Sequence, residues 1–286
     1  MSESESDSQQ SPRAPQAPRA PGARQSRLSR RQRARAVRGG QYAVLLVVVL
    51  VVALAADWGE IRRAFFDVEV AKAQFPDIIT TALVNTVVYT LLGFGFGLAL
   101  GLMLALMRLS KVPPYRWLAV AYIEFFRGVP ALLVFIALGF GVPLAFQMSL
   151  NQYVTVMLAL GLVGAAYMAE TIRAGILAVP KGQTEAARSL GMSQGRAMVS
   201  IVIPQALRIV LPPLTNELIL LTKDSSLVYL LGLSLSQYEL AKFGRDALNQ
   251  NRSLTPILIA GLCYLVITLP LGHLVRRLEA RTSKAR

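Results

Sequence analysis

Polar and charged positions leave six apolar stretches along the chain, at 39–56, 78–107, 128–151, 152–169, 209–222 and 253–275. An α-helix crosses a bilayer with about 20 apolar residues, so the pattern predicts an all-α membrane protein with six transmembrane helices. In the third stretch the apolar body ends near Phe146. The fifth is short and interrupted by Pro212, Pro213, Asn216 and Glu217. Joined to its flanks it predicts a broken or tilted span over 199–229.

The second stretch carries Asn85, Tyr89, Gly93, Gly97, Gly101 and Ala105 at four-residue intervals. Four residues overshoot the 3.6 of a helical turn, so the row winds slowly round the helix and predicts a close seam against a neighbour. Asn85 and Tyr89, polar and at the outer end of the row, are also candidates to line a substrate path.

Lys and Arg set the orientation. With the N-terminus in the cytoplasm, the inner segments are the tail, 108–127, 170–208 and everything from Arg276 onward; together they hold 23 of the 30 Lys and Arg. Only Arg62, Arg63, Lys72, Lys223, Lys242, Arg245 and Arg252 fall outside, which obeys the positive-inside rule. Both termini are therefore expected in the cytoplasm.

Composition agrees with lipid as the solvent: 54% hydrophobic residues, 16% charged and a mean hydropathy of +0.48 are remote from a soluble domain. A net charge of +14 raises nucleic acid as a partner, but its placement speaks against one. Residues 1–40 hold nine Arg and three acids in Ser/Glu/Asp-rich and then Pro/Ala/Arg-rich sequence, which predicts a disordered basic cytoplasmic tail. The Arg cluster at 24–38 abuts an apolar run and reads as an anchor at anionic lipid. Residues 41–76 then form the first span and an extracytoplasmic connector. Arg30-Arg31, the apolar stretch and Ala53-Leu54-Ala55 also fit a long-headed export signal. The stretch is long enough to span and no Phe-Leu-Lys follows the arginine pair, so it is read as retained; the intact mass of the purified chain decides between the two.

Cys263 and His273 are the only cysteine and histidine. Neither supplies a ligand set or a base with its orienting partner, so packing or interfacial roles are expected, with no metal site and no catalytic residue. No Lys follows a Gly, so the Gly-Lys-Ser/Thr phosphate loop is absent.

The polar segment 173–204 interrupts the apolar pattern. Pro180-Lys181-Gly182 should break the preceding helix, placing Glu185 in the first turn of a short new one that runs to Leu190. Gly191 suits a left-handed cap, and Ser193 can cap a further helix ending before Pro204. Ala186 and Ala187 keep one side of the short helix shallow. From the spans alone, an ion-gradient-driven secondary transporter or channel, or a membrane scaffold, fits as well as any other transporter.

Glu185-Ala186-Ala187, three residues, Gly191, nine residues, then Ile201-Val202-Ile203-Pro204 resembles the EAA loop of ABC-importer permeases, with Ile203 where Leu is usual. Segments 122–130 (Tyr-Ile-Glu-Phe-Phe-Arg-Gly-Val-Pro), 165–173 (Ala-Ala-Tyr-Met-Ala-Glu-Thr-Ile-Arg), 204–213 and 223–227 (Lys-Asp-Ser-Ser-Leu) are similar to the polar amino-acid uptake branch of that family. The likeness covers about 77–280. Val129, where Thr is commoner, and Val134, where Gln is frequent, depart from it beside the expected path.

The resemblance implies a five-helix type I importer permease core at 77–280, preceded by one extra span and followed by a cytoplasmic tail at 281–286, in a bacterial inner membrane. It implies a transport subunit for glutamate, glutamine or another polar amino acid, with no cofactor of its own. ATP and Mg would be bound by two cytoplasmic ATPase subunits, alongside a second permease chain and an extracytoplasmic amino-acid-binding protein. Glu185, Ala186, Ala187, Leu190 and Gly191 would form the ATPase-coupling helix. Asn85, Tyr89, Tyr167, Glu170, Asn216 and Glu217 are the candidates for the substrate path, because polar groups inside spans are costly. Glu124 and Arg127, at the expected cytoplasmic edge, and Lys223 and Asp224, near the outer face, are candidate gate or anchor residues.

Overall fold

The computed structural model describes residues 30–148 and 150–284, all helical or loop. It separates into Met1–Asp57 and Trp58–Arg286. The described part of the first unit is α1 (Arg30–Ala55), whose window Val37–Ala55 is long and apolar enough to span a membrane. The first eleven residues of the helix fall in the segment 1–40 expected to lack structure; the rest of that tail lies outside the described residues.

The second unit opens with two short connector helices, α2 (Trp58–Phe65) and α3 (Val68–Ala73). Asp67 caps α3 by accepting from the backbone of Glu69 and Val70. This connector is tied to the start of the last span: Asp67 N donates to Thr255 Oγ1 at 3.0 Å, and Leu254 N donates to Ala64 O at 2.7 Å. A π-helical turn at Ile78–Leu83 leads into α4 (Val84–Leu109).

The third apolar stretch corrects the expectation of a single span. α5 (Pro113–Gly128), which uses Pro113 and Pro114 in its first turn, where a missing N–H costs nothing, precedes that stretch and lies mostly in the segment 108–127 expected as an inner loop. Val129 (φ −95°, ψ 132°) and Pro130 (φ −59°, ψ 133°) are extended, because proline pushes the residue before it out of the helical region. The chain then resumes as α6 (Ala131–Ile136), a π turn at Ala137–Gly141 and α7 (Val142–Phe146), turned 102° from α5. Counting the bent pair as one span, the described residues hold six segments with the length and hydropathy to cross a membrane.

α8 (Gln152–Leu177) is the central helix. All six members of the four-residue row on α4 are buried, and its glycines form the expected close seam, with α8 as the neighbour. A Cβ on Gly97 would stand 3.2 Å from Gly161 O, and one on Gly101 would stand 3.0 Å from Ala165 O. The two backbones approach closely because α4 has no side chain there and α8 offers only small residues, Gly161 and Ala165, opposite. At one end Tyr89 and Tyr153 rings meet at 5.3 Å. At the other, Glu170 binds both Arg108 of α4 and Arg173, the latter at 3.0 Å. Tyr122 of α5 donates to Leu162 O at 2.8 Å, fastening α5 to the same helix.

α9 (Lys181–Ser189) and α10 (Gln194–Ala197) follow, then a π turn at Met198–Val202 and α11 (Ile203–Asp224). The fifth span is not broken at Pro212-Pro213. α11 runs through both prolines, and the helix that Ser193 caps continues past Pro204 rather than ending before it. A π turn immediately before Pro204 accommodates the register change, and packing of α11 on α8 and α13 holds the remainder. Beyond a 3₁₀ turn at Ser225–Leu230 and another at Leu235–Gln237 lie α12 (Leu240–Asn251) and α13 (Thr255–Lys284).

The loop before α12 is bolted to α4. Asn85 Nδ2 donates to Ser236 O and Tyr238 O at 2.9 and 3.0 Å, Tyr89 OH to Gln237 O at 2.9 Å, and Leu240 N to Thr86 Oγ1 at 3.1 Å. Glu239, wholly buried, caps α12 by accepting from Ala241 N and Lys242 N at 2.6 Å, and Tyr264 OH donates to it at 3.1 Å. Burial pushes the Glu239 carboxyl up to about 7, against the opposing pull of those donors and of Lys242. Tyr264, whose hydroxyl can turn from donor to acceptor, can receive the carboxyl proton. A folded-state value above the ordinary one means that the native state holds a proton the unfolded chain has lost. Stability from this group should therefore fall as pH rises from the usual carboxylate range to about 7, and level off above it. Thermal unfolding of the full chain at pH 5 and pH 8 is expected to show this fall, worth on the order of a few kcal/mol, with Glu239→Gln flattening it. An unchanged slope in the variant would assign the pH dependence to other groups.

Candidate functional site

A cavity of about 480 Å³ opens beside the break between α5 and α6. Its wall is Arg127, Gly128, Val129, Pro130 and Ala131 from the break, Val163, Gly164 and Tyr167 from α8, and Glu217, Leu220, Leu221 and Asp224 from α11. Periodicity explains the grouping. Val163 and Tyr167 are four residues apart, and Glu217, Leu220, Leu221 and Asp224 follow the i, i+3, i+4, i+7 pattern of one helical face. Non-helical backbone at membrane depth is tolerated where it is buried in protein or lines a cavity. The extended Val129-Pro130 pair meets that condition.

The charges in this wall are unevenly balanced. The Arg127 guanidinium lies 5.7 Å from the centroid of the Tyr167 ring, within reach of a cation–π attraction. Glu217 and Asp224 are half-buried on α11. The size suits a small polar solute, and the lining offers both signs of charge with apolar walls between them.

The structure brings together only some of the sequence candidates. Tyr167 and Glu217 line the cavity, and so do Arg127 and Asp224, which the sequence placed among gates and anchors. Arg127, exposed one residue before the end of α5, thus borders the cavity. Glu124 is exposed on α5 and outside the lining, as is Lys223 on α11. Asn216 is exposed and turned away from this wall, one residue off the Glu217 face. Asn85 and Tyr89 do not line the cavity; their polar atoms hold the 236–238 backbone. Glu170 also lies outside it, engaged by Arg108 and Arg173. Val129 lies in the wall, whereas Val134 is buried in the core. The break itself was missed because the apolar count began at Gly128. The signal was Pro130, whose effect on Val129 ends α5.

The short helix of the polar segment has a definite local structure. α9 ends in a Schellman arrangement, with Met192 N donating to Ala187 O at 3.1 Å and Gly191 N to Arg188 O at 3.0 Å. Gly191 has φ +82°, as the cap requires. Glu185 is the fifth residue of α9, so it lies in the second turn and not the first. Ala187 is buried toward the Gln194–Val202 segment, while Glu185, Ala186 and Leu190 are exposed, Leu190 at 85%. The helix thus presents one face to its own chain and leaves another free.

Comparison with known proteins places this geometry. The family described as "Binding-protein-dependent transport system inner membrane component" matches residues 97–284. The chain is 38% identical over 185 residues to the arginine transport system permease protein ArtQ of Bacillus subtilis (strain 168), covering 65% of this chain and 83% of that protein. It is 37% identical over 212 residues to the glutamate/aspartate import permease protein GltK of Escherichia coli O157:H7, covering 70% and 92%. A crystal structure of an amino acid ABC transporter with histidines superposes with a TM-score of 0.68 at 34% identity, covering 75% of this chain and 98% of that one.

Proposed function

Because the chain belongs to the family of binding-protein-dependent transport inner membrane components, and is a permease subunit of an amino-acid ABC importer, we propose that its cavity at the α5–α6 break is the amino-acid path. The protein is a multi-pass component of a bacterial inner membrane. The observation that carries the proposal is the convergence of Arg127, Tyr167, Glu217 and Asp224 on that one cavity. An amino acid needs a cation for its carboxylate and an anion for its ammonium group, and this wall supplies both.

α9 is the site where a separate ATPase docks, burying Glu185, Ala186, Leu190 and the Gly191 turn. The lack of a phosphate loop supports a partner that binds ATP and Mg. The assembly comprises two such ATPases, a second permease chain and an extracytoplasmic binding protein. The positive charge of the inner segments supports a cytoplasmic α9 and cytoplasmic termini. ATP-driven closure of the ATPases would draw the coupling helices together and turn the cavity outward to receive the solute.

The test is uptake of radiolabelled amino acids into vesicles holding the full chain with its ATPase and binding protein. Accumulation that requires ATP and survives collapse of ion gradients is expected. Uptake that persists without ATP while an ion gradient is maintained would replace this reading with secondary transport.

A further inference from the structure

The charges of the cavity narrow its occupant. Glu217 and Asp224 are seven residues apart on α11, nearly two turns, so they share a face about 10 Å apart along the axis. Among the described residues neither carboxylate takes part in an ion pair. The acid that is neutralised is Glu170, outside the cavity, by Arg108 and Arg173. Arg127 is the sole cation of the wall and sits over the Tyr167 ring.

We infer that this cavity selects cationic amino acids, arginine or lysine, over neutral and acidic ones; the inference rests on its being the amino-acid path. A cationic amino acid has one carboxylate and two cationic groups, the inverse of a wall with one guanidinium and two carboxylates. Its carboxylate faces Arg127 while its ammonium and side-chain cation face Glu217 and Asp224, nearly two turns apart on one face of α11. A neutral amino acid leaves one carboxylate uncompensated. An acidic one repeats the charge pattern of the wall and is repelled, and an unmatched charge in a partly dehydrated site is costly.

The experiment is direct binding of radiolabelled L-arginine, L-lysine, L-glutamine and L-glutamate to the full-length permease with its ATPase in nanodiscs, without the binding protein. Arginine and lysine are expected to bind most tightly. Glu217→Gln is expected to weaken arginine about 10- to 100-fold, the worth of one charge-assisted hydrogen bond, and to lower the arginine-to-glutamine ratio. Asp224→Asn provides a second, independent variant with the same expectation. Glutamine or glutamate binding the unaltered protein as tightly as arginine, or both variants retaining the arginine preference, overturns the charge-based selection and leaves the permease reading standing. Binding of none of the four by a monodisperse complex overturns the cavity as the amino-acid path, and this inference with it.

Discussion

Gly97→Leu is expected to leave little or no folded permease in membrane extracts. The ideal Cβ position on Gly97 is already 3.2 Å from Gly161 O and 3.4 Å from Ala165 N. Both are backbone atoms, so no side chain can rotate out of the way. Even Gly97→Ala should cost about 1–3 kcal/mol, the usual range for overpacking. Leucine adds three more carbons and forces α4 away from α8, opening the largest core cluster, which includes Leu104, Ala105, Leu160 and Met168. Gly95, on the same helix with nothing within 4 Å of its Cβ position, is the control: Gly95→Leu should preserve the fold. Fluorescence-detected size-exclusion chromatography before and after heating measures both. A monodisperse Gly97→Leu protein with unchanged heat resistance would refute the close seam.

The second large effect concerns α9. Gly191 holds a left-handed conformation that costs other residues roughly 1–2 kcal/mol, and β-branched ones most. Gly191→Val should therefore unravel the Schellman cap and release the Met192–Ala187 bond without disturbing the spans. Glu185→Arg reverses the charge on the exposed face and should leave α9 intact. On the proposed reading both lower ATP-driven uptake at least tenfold while ATP hydrolysis persists and the protein still inserts. The paired measurement is uptake and phosphate release on the same vesicles. Uptake and hydrolysis falling in proportion, or neither changing, would remove α9 from coupling.

These two regions were also the most legible in the sequence, and for physical reasons. A four-residue row of glycines leaves no alternative to close backbone contact, and a glycine after a short polar helix anticipates its cap. Prolines were read less well. Pro212-Pro213 suggested a break that neighbouring helices suppress, since a helix packed on α8 and α13 tolerates the lost bonds. Pro130 made the real break, because Gly128 and the extended Val129 leave the helix free to end. Polar residues misled where their partners are distant in sequence. Asn85 and Tyr89 are matched by carbonyls about 150 residues away, and Glu170 by Arg108 from another span. Periodicity along one helix carries no information about such partners. Glu217 and Tyr167 were legible because a polar group inside an apolar span is costly, and Asp224 shares their wall through its seven-residue spacing from Glu217.

The α4–α8 seam has a mechanical meaning. Backbone touches backbone, with aromatic rings at one end and an Arg-Glu-Arg clasp at the other, so there is no slack for one helix to slide or roll on its neighbour. The pair behaves as a single strut. On the proposed reading, a change of access would be accommodated at non-helical backbone, and the extended Val129-Pro130 pair lies beside the cavity. On that same reading, a rigid strut set against a non-helical joint would turn a push at one end into a change of angle at the solute.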